Sequence, residues 1–184
     1  MSRGARVVVL CEDQQSKVFI EEALLARGYD RRAIRSVVAP SGRGAGERFV
    51  RSHYPEWRAF LRSRPATKGL AVHIDADPTH TVAERHAELA GALKASGQDP
   101  RDETEPIAEL VPKRNIETWI HALDTSLGTS VLDESDAYPK LAYPSACAAA
   151  ARAFADHARL STTPSTAEAV PSLLDGLQEF RRIP

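Results

Sequence analysis

From residue 6 to residue 123 the chain alternates short apolar runs with segments of helical periodicity. The apolar runs predict four strands, at residues 6–11, 36–39, 70–74 and 107–111. Their near-continuous aliphatic character is typical of strands that are covered on both faces. Because helical segments separate the strands, the pattern favours βαβ units and therefore a parallel sheet.

Local signals mark where the predicted helices begin and end. Gly28 suits a left-handed cap at the end of the first helix. The Tyr54–Pro55 step predicts a break or a kink in the second. Thr81 and Glu84 form a capping-box pattern that opens the third, and Asn115 can cap the fourth.

After Asp124 the pattern changes. Residues 128–142 are loop-like, and residues 145–159 and 172–182 are predicted helices. We expect an α/β unit over residues 1–124 and a helical extension over residues 125–184 packed on the same core. The predicted fold class is a single Rossmann-like α/β domain, with a mainly parallel four-stranded sheet, helices on both faces and a helical C-terminal tail.

Composition narrows the class of protein without identifying it. The 184 residues, 42% hydrophobic and 27% charged, fit one ordinary globular core. A formal charge of -1 gives no global basic field, although a local basic rim would still suffice for nucleic acid. Two cysteines are too few for a disulfide framework.

No run approaches the ~20 apolar residues of a membrane span, and no signal-peptide core follows the N-terminus, so we expect a cytoplasmic protein without membrane association.

Acidic residues follow the predicted strands. Glu12 and Asp13 come after the first strand, and Asp75 and Asp77 come after the third. Glu117 lies in the first turn of the helix after the fourth. The carboxyl ends of parallel strands form the functional edge of a sheet, and a spacing of two in an extended chain points Asp75 and Asp77 the same way. Carboxylates that converge repel each other unless a cation lies between them, so the pattern predicts a site for Mg²⁺ or Mn²⁺.

Each acid also has a structural explanation. Asp75 and Asp77 fit a turn and a helix cap, and Glu12 fits a solvated strand end. Glu117 is favoured by the helix dipole in any case. The occurrence of all of them after successive strands favours the metal site. His73, within the third strand, is predicted to be buried and hydrogen-bonded.

The motifs resemble those of the TOPRIM domain of topoisomerases, primases and the overcoming-lysogenization-defect nucleases. They are Val-Val-Val-Leu-Cys-Glu, ending at Glu12, and Val-His-Ile-Asp-Ala-Asp, which contains Asp75 and Asp77. The segment Leu-Val-Pro-Lys-Arg-Asn-Ile-Glu-Thr-Trp-Ile at 110–120 is similar to the second-metal element of small free-standing TOPRIM-like proteins that are paired with ATPases in bacterial defence. Where the family has Gly and an acid, this chain has Asp13 and Ser16, which leaves Asp13 as either a ligand or a helix cap.

The resemblance implies a Mg²⁺-dependent nuclease that works with an ATPase partner. In that case Asp75 and Asp77 hold a Mg²⁺, Glu12 is a ligand or the general base, and Glu117 helps to hold a second ion.

The implied nucleic-acid contacts are Lys113 and Arg114, beside the metal site, with Lys113 also counted among the catalytic residues. Arg43, in the glycine loop at 41–46, would bind another phosphate. One alternative is a non-catalytic TOPRIM-like module that binds nucleic acid or the ATPase. Another is a small-molecule phosphotransfer enzyme, against which the lack of a Gly-x-x-x-x-Gly-Lys-Ser/Thr loop argues.

Overall fold

The predicted strands pair into one parallel sheet. The structure, a computed structural model, describes residues 6–40, 46–141 and 145–184. The sheet has the order β2-β1-β3-β4, and every neighbouring pair is parallel. Its strands are β1 (Val7–Cys11), β2 (Ile34–Val38), β3 (Gly69–His73) and β4 (Ile107–Leu110).

Helices cover both faces of this sheet, which confirms the predicted fold class. They are α1 (Gln14–Ala26), α2 (Gly46–Ser63), α3 (Val82–Ala95), α4 (Ile116–Leu123), α5 (Ser145–Leu160) and α6 (Pro171–Phe180). In the part of the chain that the structure describes, no helix combines the length and apolar character needed to cross a membrane.

Alternate residues of β1 enter two different cores, which explains its continuous aliphatic sequence. Val8 and Leu10 pack with the apolar faces of α2 and α3. Val7 and Val9 pack on the opposite face with α1, α4, α5 and α6. Both faces of the strand are therefore removed from water, as the sequence pattern predicted.

Several capping predictions are confirmed. Thr81 and Glu84 form the complete capping box at the start of α3. Asp13 is the N-cap of α1, and its Oδ1 accepts a hydrogen bond of 2.8 Å from the backbone N–H of Ser16. Asn115 stands at the N-cap of α4, but its side chain makes no capping hydrogen bond.

The predicted break at Tyr54–Pro55 does not occur, because α2 continues through Pro55 to Ser63. Proline removes one intrahelical hydrogen bond and costs about 3 kcal/mol in a helix interior. Here the flanking turns are held by tertiary contacts. Tyr54 is fully buried and donates its hydroxyl to Glu109 Oε1 at 2.8 Å, and Trp57, two residues after Pro55, is buried as well. Tertiary packing thus outweighs the local preference.

The C-terminal helices pack directly on the α/β layer. Helix α5 lies against α1 and α4, and α6 lies along the edge strand β4. On that edge, the backbone N–H of Glu109 donates to Glu179 Oε2 at 2.9 Å, and Arg101 donates to the carbonyl of Ile107 at 2.8 Å. Since Arg101 and Glu179 also pair with each other, one ion pair satisfies backbone groups that an edge strand leaves exposed.

Candidate functional site

The carboxyl ends of β1 and β3 bring Glu12 and Asp75 into contact. The backbone N–H of Asp75 donates to Glu12 Oε1 at 2.7 Å. The hydrogen bonds to the β4 side continue past the end of β3, with Ile74 N–H to Leu110 O at 3.2 Å and Ala76 N–H to Pro112 O at 2.9 Å. Asp75 therefore lies at the carboxyl edge of the sheet, between the first and fourth strands.

Gly46, the first residue of α2, fixes the other side of Glu12. A Cβ atom at position 46 would lie 2.8 Å from Glu12 Cβ and 3.1 Å from Glu12 Oε2, so only glycine allows this approach. The amino-terminal end of α2 consequently lies beside the Glu12 carboxylate, where the helix dipole favours negative charge.

Asp75 is a buried carboxyl group among other acids. Burial first, and then the charges of Glu12, Asp13, Asp77 and Glu117, raise the pKa of Asp75 well above its usual value. These five residues are called the acidic edge below. Within the described residues, Asp75 Oδ1 is buried and has no hydrogen-bond donor. A buried oxygen of this kind is costly unless something positive or hydrogen-bonding reaches it.

His73 does not supply that positive charge. It is fully buried, as predicted, and its Nε2 lies 3.3 Å from Asp75 Oδ1. The predicted hydrogen bond is not formed, since neither ring nitrogen is bonded to another residue of the described chain. Burial lowers the pKa of His73 to about 4, so the ring is neutral at physiological pH.

Glu12 has a strongly shifted pKa as well. Burial, followed by the charges of Asp77, Asp13 and Glu47, raises the pKa of Glu12 to about 7, against the lowering effect of the hydrogen bond from Asp75. A carboxyl group with a pKa near neutrality can both accept and release a proton under physiological conditions.

Asp77 departs from the extended chain that the spacing argument assumed. Its φ is 58°, in the left-handed region that Asp tolerates better than most residues. The chain turns there, and the Asp77 side chain is 52% exposed with Oδ2 3.4 Å from Nη2 of the buried Arg85. The side chains of Asp75 and Asp77 therefore occupy different surroundings. Arg85 also donates to the backbone carbonyl of Asp75 at 2.9 Å, which ties the two positions together.

Glu117 is buried in the first turn of α4 and already has a cationic partner. Lys140 Nζ lies 2.7 Å from Glu117 Oε1, although the Lys140 side chain is 81% exposed. The hydrogen bond to Glu117, together with the charges of Glu117, Asp75 and Asp13, raises the pKa of Lys140. Lys140 was not among the predicted site residues, because nothing in its loop sequence distinguishes it from a solvated lysine.

The predicted phosphate-binding residues face other groups. Lys113 Nζ donates to the backbone carbonyl of His80 at 2.7 Å, and Arg114 donates to that of Ser135 at 3.1 Å. Both residues are half-buried. Arg43 lies outside the described residues, as does most of the glycine loop.

The acids of the described residues do not form a metal site in this structure. Within the ranges 6–40, 46–141 and 145–184, no three His, Cys, Asp or Glu side chains are arranged so that they could hold a metal ion. The reasons are visible in the contacts: Glu12 accepts from a backbone N–H, Asp77 faces Arg85, and Glu117 is paired with Lys140.

Comparisons with known proteins assign no family. No family model matches the chain, and neither the curated proteins nor the solved structures give a match. The TOPRIM resemblance therefore rests on the short motifs around Glu12, Asp75 and Glu117 and on their order along the parallel sheet.

Proposed function

We propose that this protein is a Mg²⁺-dependent nuclease of TOPRIM type that acts in the cytoplasm with an ATPase partner. The observation that carries the proposal is the state of Asp75: a buried carboxyl group with one oxygen lacking a donor and four other acids near enough to raise its pKa. Such a cluster costs several kcal/mol without a compensating cation. We therefore expect a cation to bind at this edge of the sheet.

The chemistry of the donors suits a hard divalent ion, although Glu12, Asp77 and Glu117 would have to leave their present partners to bind it. The donor set consists of carboxylate oxygens, which Mg²⁺ prefers, and Asp75 Oδ1 is free to coordinate. Asp75 and Asp77 would hold the ion, Glu12 would be either a further ligand or the general base, and Glu117 would contribute to a second ion. When bound, the metal supplies charge stabilisation at the phosphate and a more acidic water.

Proton transfer, phosphate binding and the positioning of the ligands would be carried out by the side chains of this site. Glu12, with a pKa of about 7, suits the transfer of a proton from the attacking water. Lys113 and Arg114, now bonded to carbonyls, would turn to the substrate phosphate. Arg85 positions the backbone of Asp75 and the side chain of Asp77 together.

A cleavage assay tests the proposal directly. Purified protein is incubated with single-stranded and duplex DNA and RNA, alone and with the ATPase partner, in Mg²⁺, Mn²⁺ or EDTA. We expect cleavage that requires the divalent ion and stops in EDTA. Absence of cleavage under every metal condition, with the partner present, would exclude the nuclease.

That negative result would favour the second candidate, a non-catalytic module that binds nucleic acid or the ATPase. Two observations support this alternative. Asp13, in the position of the family glycine, is used as a helix cap, and Ser16, in the position of an acid, is fully buried. The pairing of Glu117 with Lys140 also occupies one of the carboxylates that the resemblance assigns to metal.

Lys140 provides a test with a binding readout. Because its ammonium group lies on Glu117, it competes with a metal for the same oxygen. We expect Lys140→Met to bind Mg²⁺ up to about tenfold more tightly, because the metal no longer has to displace the ammonium group from Glu117. A tenfold change in affinity corresponds to about 1.4 kcal/mol. Isothermal titration with Mg²⁺ measures the affinity. Lys140→Arg keeps the competing charge and should resemble the wild type, and an unchanged affinity in Lys140→Met would remove Glu117 from the metal site.

A further inference from the structure

The edge of the sheet opposite the acids carries a group of unpaired cations. Arg6 precedes β1, and Arg64 and Lys68 precede β3. Arg32 lies just before β2, and Arg35 lies within it. All five residues are exposed. Within the described chain, none of them has an acidic side chain within ion-pair distance, in contrast to Arg31 and Arg62 nearby. We call these five residues the basic edge.

Backbone contacts show that the basic edge is one surface rather than five scattered charges. The N–H of Arg6 donates to the carbonyl of Ala33 at 2.7 Å, and the N–H of Lys68 donates to the carbonyl of Arg6 at 2.5 Å. The amino ends of the three strands therefore meet at Arg6, as they do in any parallel sheet. The acids nearby are mostly engaged: Asp30 caps the backbone N–H of Arg32, and Glu105 is held by Arg58 and Arg62.

Aromatic rings hold two of these arginines without neutralising them. The Arg35 guanidinium lies 4.7 Å from the ring centroid of Trp57 and 5.9 Å from that of Phe60. The Arg64 guanidinium lies 5.4 Å from the ring centroid of Phe60. A stacked guanidinium keeps its N–H donors and its full charge, and its conformation is already restricted, so less entropy is lost when a phosphate binds.

Negative and positive side chains are therefore concentrated at opposite ends of the strands. The acidic edge and the basic edge are separated by strands of five residues, or about 17 Å at a typical strand rise. Without a bound metal ion, a phosphate backbone is repelled by the acids and attracted to the opposite edge, although the formal charge of the whole chain is only -1.

We infer that the basic edge is a nucleic-acid-binding surface that contacts the phosphate backbone independently of any metal. The inference rests on the proposed function only in the choice of nucleic acid as the polyanion. Phosphates form charge-assisted, bidentate hydrogen bonds with guanidinium groups, and the aromatic rings already hold Arg35 and Arg64 in place.

Fluorescence anisotropy with labelled single-stranded DNA, the matching RNA and the duplex tests this surface in EDTA, where metal-dependent cleavage plays no part. With five phosphate contacts on a single strand, the slope of log K against log salt should be about -3.5. Arg32→Glu combined with Lys68→Glu should weaken binding at low salt by at least about tenfold and make the slope shallower by about 1.4. These two side chains are exposed and unpaired, so thermal unfolding should change little.

The control is Lys94→Glu combined with Arg152→Glu, which makes the same change of net charge at exposed positions of α3 and α5. It should bind like the wild type. The inference is overturned if the wild type does not bind at low salt, if the control loses as much affinity as the test variant, or if phosphatidylserine vesicles displace the oligonucleotide from the same residues. Binding is measured in EDTA and cleavage in Mg²⁺, so loss of binding in the Arg32→Glu, Lys68→Glu variant and absence of cleavage by the wild type are separate results, and failure of this surface and failure of the nuclease proposal are distinguishable.

Discussion

Replacing Asp75 by asparagine is expected to lower metal-dependent cleavage of nucleic acid by about a thousandfold or more, which corresponds to about 4 kcal/mol of lost transition-state stabilisation. Asn keeps the size of the side chain but removes the charged oxygen that is free to coordinate. The measurement is kcat/KM for the substrate that the wild type cleaves, at saturating Mg²⁺.

The same substitution should stabilise the metal-free fold. Asp75 is buried beside Glu12 and within reach of three further acids, so removal of its charge relieves both desolvation and repulsion. We expect a higher Tm for Asp75→Asn than for the wild type in EDTA. Addition of Mg²⁺ should raise the Tm of the wild type and have little effect on the variant, because ligand binding to the folded state is what shifts the transition.

Asp156→Asn is the matched control for this pair of measurements. Asp156 is an exposed residue of α5 that pairs with Arg159. It should retain wild-type cleavage and a wild-type response to Mg²⁺. If Asp75→Asn cleaves as well as this control, or if Mg²⁺ raises the Tm of both variants equally, Asp75 is not a metal ligand and its acidic surroundings are a structural feature only.

The fold could be predicted because its signals are local and repeated. The aliphatic strands, the capping box at Thr81 and the helical periodicity of α4 each depend on residues close in sequence. The error at Pro55 has the opposite origin: whether α2 continues depends on the burial of Tyr54 and its hydrogen bond to Glu109, which lies 55 residues away. No local pattern contains that information.

The site could be predicted only as a set of acids at one edge. Their order after the strands follows from topology, but their orientation depends on contacts that the spacing does not encode. The left-handed backbone at Asp77 turns its side chain towards Arg85, and Lys140 reaches Glu117 from a loop. One available signal was missed: Glu109 is a charged residue inside an apolar strand, and such a residue requires a buried partner. Its partners are His86 and Arg101.

Helix α6 makes one very close approach to the α/β layer at Gly176, and Gly176→Ala is expected to destabilise the protein by about 3 kcal/mol or more. Gly176 lies in the middle of α6 directly against the indole of Trp119, and a Cβ there would lie 2.8 Å from Trp119 Cζ2. The ring cannot move aside, because it is fully buried, stacks on Phe154 and donates its N–H to Ser172 at 3.0 Å.

Gly91→Ala in α3 is the control, since a Cβ at that helical position would meet no atom of the described residues within 4 Å. Alanine is the better helix former, so this variant should be stabilised by up to about 1 kcal/mol. Chemical denaturation, with the midpoints and slopes of both variants compared with the wild type, measures the two effects. Equal stability of the two variants would mean that α6 does not pack on Trp119 as described. A loss confined to Gly176→Ala would establish that helix α6 is held on the α/β layer through this indole, because the helix propensity of alanine favours the opposite sign.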